Sequence, residues 1–206
     1  MSDTLSMPLF PLGTVLYPGG ALPLQIFEVR YLDLIKRCLR EDTEFGVVSL
    51  FEGGEIRRPG EQLSLAQYGT LARIENCEAP APALLRIQTV GTRRFKLHQV
   101  TQQKGGLWVG DIELLEVDPP VPIPDDLLHC ADKLKEILES LEEQDIPEDQ
   151  WPFHRPYRFD DCSWVANRWC ELLPMEKPVK LQLLSLSNPL LRLELINDQL
   201  QEEGLL

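Results

Sequence analysis

Five cysteines, three histidines and several paired carboxylates are the residues of this chain whose types could carry chemistry. The thiols are Cys38, Cys77, Cys130, Cys162 and Cys170. No Cys-x-x-Cys pair occurs among them, so neither a thioredoxin-type dithiol nor a ribbon-type zinc site is indicated. An odd number of widely spaced cysteines fits free thiols in a reducing compartment, acting mainly as small buried hydrophobes. His98, His129 and His154 are isolated from one another, and no His-Glu-x-x-His occurs, so no metal site is expected. The pairs Asp125-Asp126, Glu142-Glu143 and Asp160-Asp161 could in principle do acid–base work. Two of them stand where helices are expected to begin, and there negative charge meets the helix dipole favourably, which explains them more simply. A Gly-x-x-x-x-Gly-Lys-Ser/Thr loop, a Gly-x-Ser-x-Gly elbow and a Ser-x-x-Lys motif are all missing from the sequence. Gly53-Gly54 and Gly105-Gly106 lack dinucleotide spacing and read as hairpin turns. The residues therefore point to no catalytic group, no metal and no cofactor.

One cluster invites a binding role. Trp151, Phe153, His154, Arg155, Tyr157, Arg158 and Phe159 crowd into a short stretch interrupted by Pro152 and Pro156. The rings either plug a seam between two halves of the protein or form an exposed aromatic–Arg patch, the composition of interface hot spots. Tyr157 and Phe159 lead into the helix start at Asp160-Asp161 and are read as structural. Trp151 and Phe153 follow an acidic loop, are read as less buried, and are the candidate partner-binding residues.

Charge narrows the classes of partner. The chain of 206 residues carries a net charge of −13, of which −10 falls after Asp118. Such a field repels phosphate backbones and anionic lipid, so nucleic acid and membrane surfaces are disfavoured, and solubility explains most of the acidity. The apolar stretch from Leu9 to Phe27 is broken by Pro11, Pro18 and Pro23, so it does not read as a membrane span. Met-Ser-Asp-Thr lacks a basic and an apolar region, so a secretory signal is not expected and a cytoplasmic location is.

The elements that must position any site follow from periodicity. Leu9 to Leu12 and Val15 to Tyr17 read as short strands with turns at Gly13 and Pro18-Gly19-Gly20. Phe27, Tyr31, Leu34, Ile35, Cys38 and Leu39 recur at three- and four-residue steps, which predicts an amphipathic helix from about Glu28 to Arg40 with Phe27 on its apolar face. Strands are predicted over 45–51, 69–76, 84–90, 94–100 and 108–117, with Ala79-Pro80-Ala81-Pro82 as a turn or loop. Short strands with one early helix suggest a small barrel or sandwich. Pro119 to Pro124 reads as an extended connector, and everything beyond it as helical. Helices are predicted after Asp125-Asp126, after Asp160-Asp161, from Glu176 to Leu186, and from an Asn188-Pro189 start to an end near Gly204. The expected divisions are thus 1–118, 119–124 and 125–206.

Pro8-Leu9-Phe10-Pro11-Leu12, then Val15-Leu16-Tyr17-Pro18-Gly19, then Leu22-Pro23-Leu24-Gln25-Ile26-Phe27-Glu28-Val29-Arg30-Tyr31, resembles the opening of the Lon protease N-terminal domain. Gly69 to Ile74, Gly91 to Phe95, Ala166-Asn167-Arg168 through Pro174, and the segments Lys180 to Leu186 and Asn188 to Leu191 resemble later parts of that family. The resemblance implies an α+β fold: a PUA-like pseudo-barrel with one early helix, followed by a C-terminal helical bundle. It implies a standalone form of the substrate-recognition domain, without the ATPase or the Ser-Lys protease. Pro11, Pro18, Gly19, Pro23, Phe27, Glu28 and Tyr31 are then structural: turns, a helix start and its buried face.

The functional expectation is a non-catalytic, ATP-independent module that binds polypeptide, as an adaptor or a chaperone-like binder. The alternative is a PUA-like RNA-binding protein, which requires a basic strip; Arg57-Arg58 and Arg93-Arg94-Phe95-Lys96 are its candidates. A third possibility, an unrecognised enzyme, requires a deep pocket with convergent polar groups.

Overall fold

The structure is a computed structural model and describes residues 4–52, 64–148, 151–153 and 155–205. Gly53-Gly54, Arg57-Arg58 and His154 lie outside the described residues. The chain divides into two compact units, Met1–Glu116 and Val117–Leu206.

The first unit is built from strands β1 (Leu5–Leu12), β2 (Ala21–Ile26), β3 (Phe45–Glu52), β4 (Ser64–Ala81), β5 (Leu84–Gln102) and β6 (Trp108–Leu114), with helix α1 (Val29–Glu41) between β2 and β3. Strands β5, β4, β3, β1 and β6 close into a ring, because β6 pairs with both β1 and β5. β1 and β3 run parallel, with Leu9 opposite Gly46; the other pairings are antiparallel. Closure removes most sheet edges, which would otherwise offer unpaired backbone groups.

α1 forms because its apolar residues recur at helical spacing. Tyr31, Leu32, Leu34, Ile35 and Cys38 are buried against Phe10, Leu12, Ile26, Phe45 and Ile87 of the strands. Asp42 ends it in the left-handed conformation, with φ 50°. Phe27 does not belong to this face. The helix begins at Val29, and Phe27 is 60% exposed, which corrects the expectation of a buried ring. The three- and four-residue spacing ran past the end of the helix.

The predicted strand 69–76 is longer than expected, and the predicted strands 84–90 and 94–100 are one. β4 carries register shifts between Thr70 and Ala72, Ile74 and Asn76, and Glu78 and Ala81, so its alternation is repeatedly interrupted. Ala79-Pro80-Ala81 lies inside it rather than in a loop: Pro80 sits at the last of those irregularities, where a missing N–H costs least, and Ala81 pairs with Leu84. The segments 84–90 and 94–100 join through Gly91 into β5. Val15 to Tyr17 is buried but is not a strand.

The second unit holds a 3-10 turn (Asp125–Leu127) and helices α2 (Leu128–Glu143), α3 (Cys162–Leu172), α4 (Lys177–Ser185) and α5 (Pro189–Glu202). Asp161 caps α3 by accepting from the Ser163 N–H, and Asn188 caps α5 by accepting from Leu190 and Leu191. Asp125 and Asp126 fall in the 3-10 turn, and α2 starts without a side-chain cap. The unit is organised around two arginines buried to 1% and 0% exposure, Arg168 and Arg192. Arg192 donates to Asp118, to Asn167 of α3, and to the carbonyls of Leu183 and Leu186 at the end of α4.

Candidate functional site

Among the described strands, β2 stands outside the closed ring. Among the described residues it pairs with β5 alone, through Ala21↔Val90 to Ile26↔Leu85. The same edge of β5 takes β6 further along, from Phe95 to Gln102. Gly91 lies between the two pairings. Its N–H donates to Gly20 O at 2.8 Å, and its own carbonyl accepts from the Gly19 N–H at 2.7 Å. A Cβ at position 91 would lie 2.2 Å from Tyr17 O, so only glycine lets the chain pass this closely.

That bonded contact fixes the direction of every backbone group in β2. Antiparallel strands alternate bonded and non-bonded pairs. Counting from Gly20, the amides and carbonyls of Leu22, Leu24 and Ile26 point to β5, and those of Ala21, Pro23 and Gln25 point to the open side. Two facts agree. The Leu22 carbonyl accepts from Thr89 Oγ1 of β5 at 2.8 Å. Pro23, which has no N–H to give, falls on the open side, where an edge strand tolerates it.

The faces of β2 alternate as well. Leu22, Leu24 and Ile26 pack toward the core, while Pro23 and Gln25 are exposed. A cleft of about 300 Å³ opens beside the edge, between Phe10, Pro11 and Leu12 of β1 and Pro23 to Phe27, with Glu28 and Tyr31 at its end. Phe27 and Val29, 60% and 73% exposed, are large apolar side chains beside it. The outward face carries a shallower groove of about 340 Å³ that includes Gln25, Asn76, Glu78, Arg86 and Gln88. Arg30 steadies the helix start: it pairs with Glu28 at 2.7 Å, donates to Gly106 O at 2.9 Å and lies over the Tyr31 ring.

The aromatic cluster is arranged otherwise than expected. Trp151 and Phe153 are buried, with 6% and 1% exposure, whereas Tyr157 and Phe159 are half-buried. Phe153, Tyr157 and Phe159 gather around Trp164 of α3, with ring centres 5.7, 6.2 and 5.1 Å from it. Trp151 Nε1 donates to Ile146 O at 2.8 Å. The two residues named as partner-binding candidates are thus the more deeply packed of the four, and neither ring presents a face to solvent. Nearness in sequence to the helix start therefore does not measure burial.

Asn197 Oδ1 of α5 meets both His129 Nε2, at 2.6 Å, and Cys130 Sγ, at 3.9 Å. His98 pairs with Glu113 across β5 and β6. Among the described residues no group of three His, Cys, Asp or Glu is placed to hold a metal. Burial pushes up the thiol pKa of Cys38, which lines a wider cleft of about 800 Å³ together with Arg37, Glu41 and Arg73. A thiol so shifted is a poor nucleophile at neutral pH.

Residues 6–202 match the ATP-dependent protease La (LON) substrate-binding domain family. The chain belongs to that family. It is similar to a Lon N-terminal domain protein from Xanthomonas campestris, with 31% identity, a TM-score of 0.72, and coverage of 94% of this chain and 98% of that one. The N-terminal domain of a Mycobacterium avium complex Lon protease shares the fold at 18% identity and a TM-score of 0.56, over 94% of this chain and 97% of that one. Protein cereblon of Danio rerio is 26% identical over 61% of this chain, and Lon protease 2 of Myxococcus xanthus 32% identical over 47%. The matched regions span only 28% and 12% of those two proteins.

In this Lon substrate-binding domain the β2 edge escaped sequence reasoning, although its residues, Leu22 to Tyr31, carried the resemblance. Local pattern shows that a strand exists but not which strand lacks a neighbour. The basic strip required by the RNA alternative does not form from residues 93–96. Arg94 and Phe95 are buried, and Arg93 is turned to donate to Leu115 O at 2.7 Å. No described helix is long and apolar enough to cross a membrane.

Proposed function

We propose that this protein is a non-catalytic polypeptide-binding module that captures unfolded segments, as an adaptor or a chaperone-like binder. The carrying observation is a family match to a substrate-binding domain over nearly the whole chain, together with large exposed apolar side chains, Phe27 and Val29, beside an apolar cleft. Solvent-facing apolar groups grouped at a concave site mark a surface kept for a partner. The net charge of −13 favours neutral or basic segments over acidic ones and over nucleic acid.

The test is direct binding by fluorescence anisotropy. The labelled probes are reduced, carbamidomethylated lysozyme as a permanently unfolded basic chain, the same protein folded, and a single-stranded RNA of mixed sequence. Capture of the unfolded chain alone is expected, with loss of affinity in Phe27→Ser and little change in its thermal midpoint. Binding to RNA, or equal binding to the folded protein, would overturn the reading.

A further inference from the structure

We propose that the partner segment binds as an added β-strand on the open edge of β2, and that it is a five-residue extended stretch alternating polar, apolar, polar, apolar, polar. This deepens, and rests on, the polypeptide-binding reading. Strand addition is a known use of an unpaired edge: main-chain bonds give affinity, and the alternate side chains give selectivity.

The occupant follows from the groups that the edge presents. Ala21 and Gln25 each turn an N–H and a carbonyl to the open side, and Pro23 between them turns a carbonyl only, as the register and the Gly20–Gly91 contact require. Two donor–acceptor pairs spaced two strand steps apart, with a lone acceptor between, complement an extended backbone. A helix uses its own amides, and a folded surface seldom presents them in a row. The segment therefore has residues i, i+2 and i+4 opposite Gln25, Pro23 and Ala21, none of them proline. Opposed residues share a face. Positions i, i+2 and i+4 accordingly lie over the polar outer groove with Gln25, Arg86 and Gln88. Positions i+1 and i+3 fall opposite Leu24 and Leu22, on the face of the cleft formed by Phe10, Leu12, Leu24 and Tyr31. Pro23 also accounts for the short window. It interrupts a longer run of edge pairing, the device by which proteins keep open edges from pairing with one another indiscriminately.

Gln25→Pro tests the backbone term directly, since it removes one outward N–H, whereas Gln25→Ala changes the side chain and keeps that donor. With reduced, carbamidomethylated lysozyme as the probe, Gln25→Pro should weaken binding about tenfold, the net worth of one hydrogen bond, and Gln25→Ala should stay within about twofold. Equal binding by wild type and a folded Gln25→Pro would overturn strand addition and leave polypeptide binding standing. Absence of binding by wild type would overturn both. Amide hydrogen exchange of the wild-type protein supplies a second readout should Gln25→Pro not fold. The amides of Ala21 and Gln25 should exchange more slowly when the probe is added. No added protection, or protection already present in a dimer without the probe, would overturn the proposal, the latter by placing a second copy on the edge.

Discussion

Arg192 Nη1 donates to Asp118 Oδ2 at 2.8 Å, and the two side chains are 0% and 8% exposed. The same carboxylate oxygen accepts from Ser163 Oγ at 2.7 Å, and Arg192 reaches Asn167 at 3.0 Å. Four parts of the second unit thus converge on one guanidinium: Asp118 near its start, two turns of α3, the end of α4, and α5. A buried ion pair adds little over a well-packed apolar pair, but breaking one is costly because the other charge stays behind without its partner.

Asp118→Ala should therefore destabilise the protein by about 3–5 kcal/mol. Replacing Asp118 and Arg192 together by apolar residues of similar volume should recover part of that loss. Urea unfolding of the single and double variants checks this. A single variant with the wild-type midpoint would show that the pair does not hold the helices.

Gly91→Ala should destabilise by about 1–3 kcal/mol, as overpacking does. The added Cβ meets the Tyr17 carbonyl at 2.2 Å and its carbon at 3.0 Å, and backbone cannot swing aside as a flexible side chain can. Gly105→Ala is the control, because nothing lies within 4 Å of its Cβ position. Because Gly91 anchors the start of β2, hydrogen exchange at Leu22 and Leu24 should quicken in Gly91→Ala more than at Ile112 in the ring. Uniform quickening would count against a special link to β2.

How much of this was legible depended on the range of the interaction. The caps Asp161 and Asn188 act on amides two or three residues away, so their identity and place in the sequence predicted them. The helix of Tyr31, Ile35 and Cys38 was equally legible, because a single face repeats. β5 was read as two pieces, and β4 as a shorter strand ending before Ala79, because each register shift resets the alternation. The open edge of β2 is decided by where β6 docks on β5, a pairing remote in sequence. Arg192 looks like a surface residue in Leu191-Arg192-Leu193-Glu194, and its burial is explained by partners on other elements, above all Asp118, 74 positions away.

Phe153→Ala should cost about 3–5 kcal/mol, as expected for a fully buried ring. Tyr157→Ala should cost about 1–2 kcal/mol, since the ring is half-buried and contributes mainly its contacts with Trp164 and Phe153. The ranking reverses what closeness to the α3 start suggested. Thermal midpoints of the two variants decide it, and a larger loss in Tyr157→Ala would contradict the packing around Trp164.

Alkaline pH should weaken the second unit through two thiols. Burial pushes Cys130 from 9.0 to about 11. Cys162 rises from 9.0 to about 11 as well, first through burial and then through the neighbouring Asp161 carboxylate. Both pKa values are raised in the folded state, so the unfolded chain gives up these protons first. The stability they contribute is complete below about pH 9, falls as pH climbs toward about 11, and is lost above it. Tyr31, pushed by burial from 10.0 to about 12, extends the same trend in the first unit. Urea midpoints should accordingly stay level with respect to these groups up to about pH 9 and then decline. The double variant Cys130→Ala, Cys162→Ala should decline less steeply over that interval, even if its midpoint is lower throughout. Thiolate absorbance of the native protein offers the direct check: these two thiols should remain protonated through pH values at which the urea-unfolded chain is already ionised. Ionisation of both thiols near pH 9 in the native state would refute their burial.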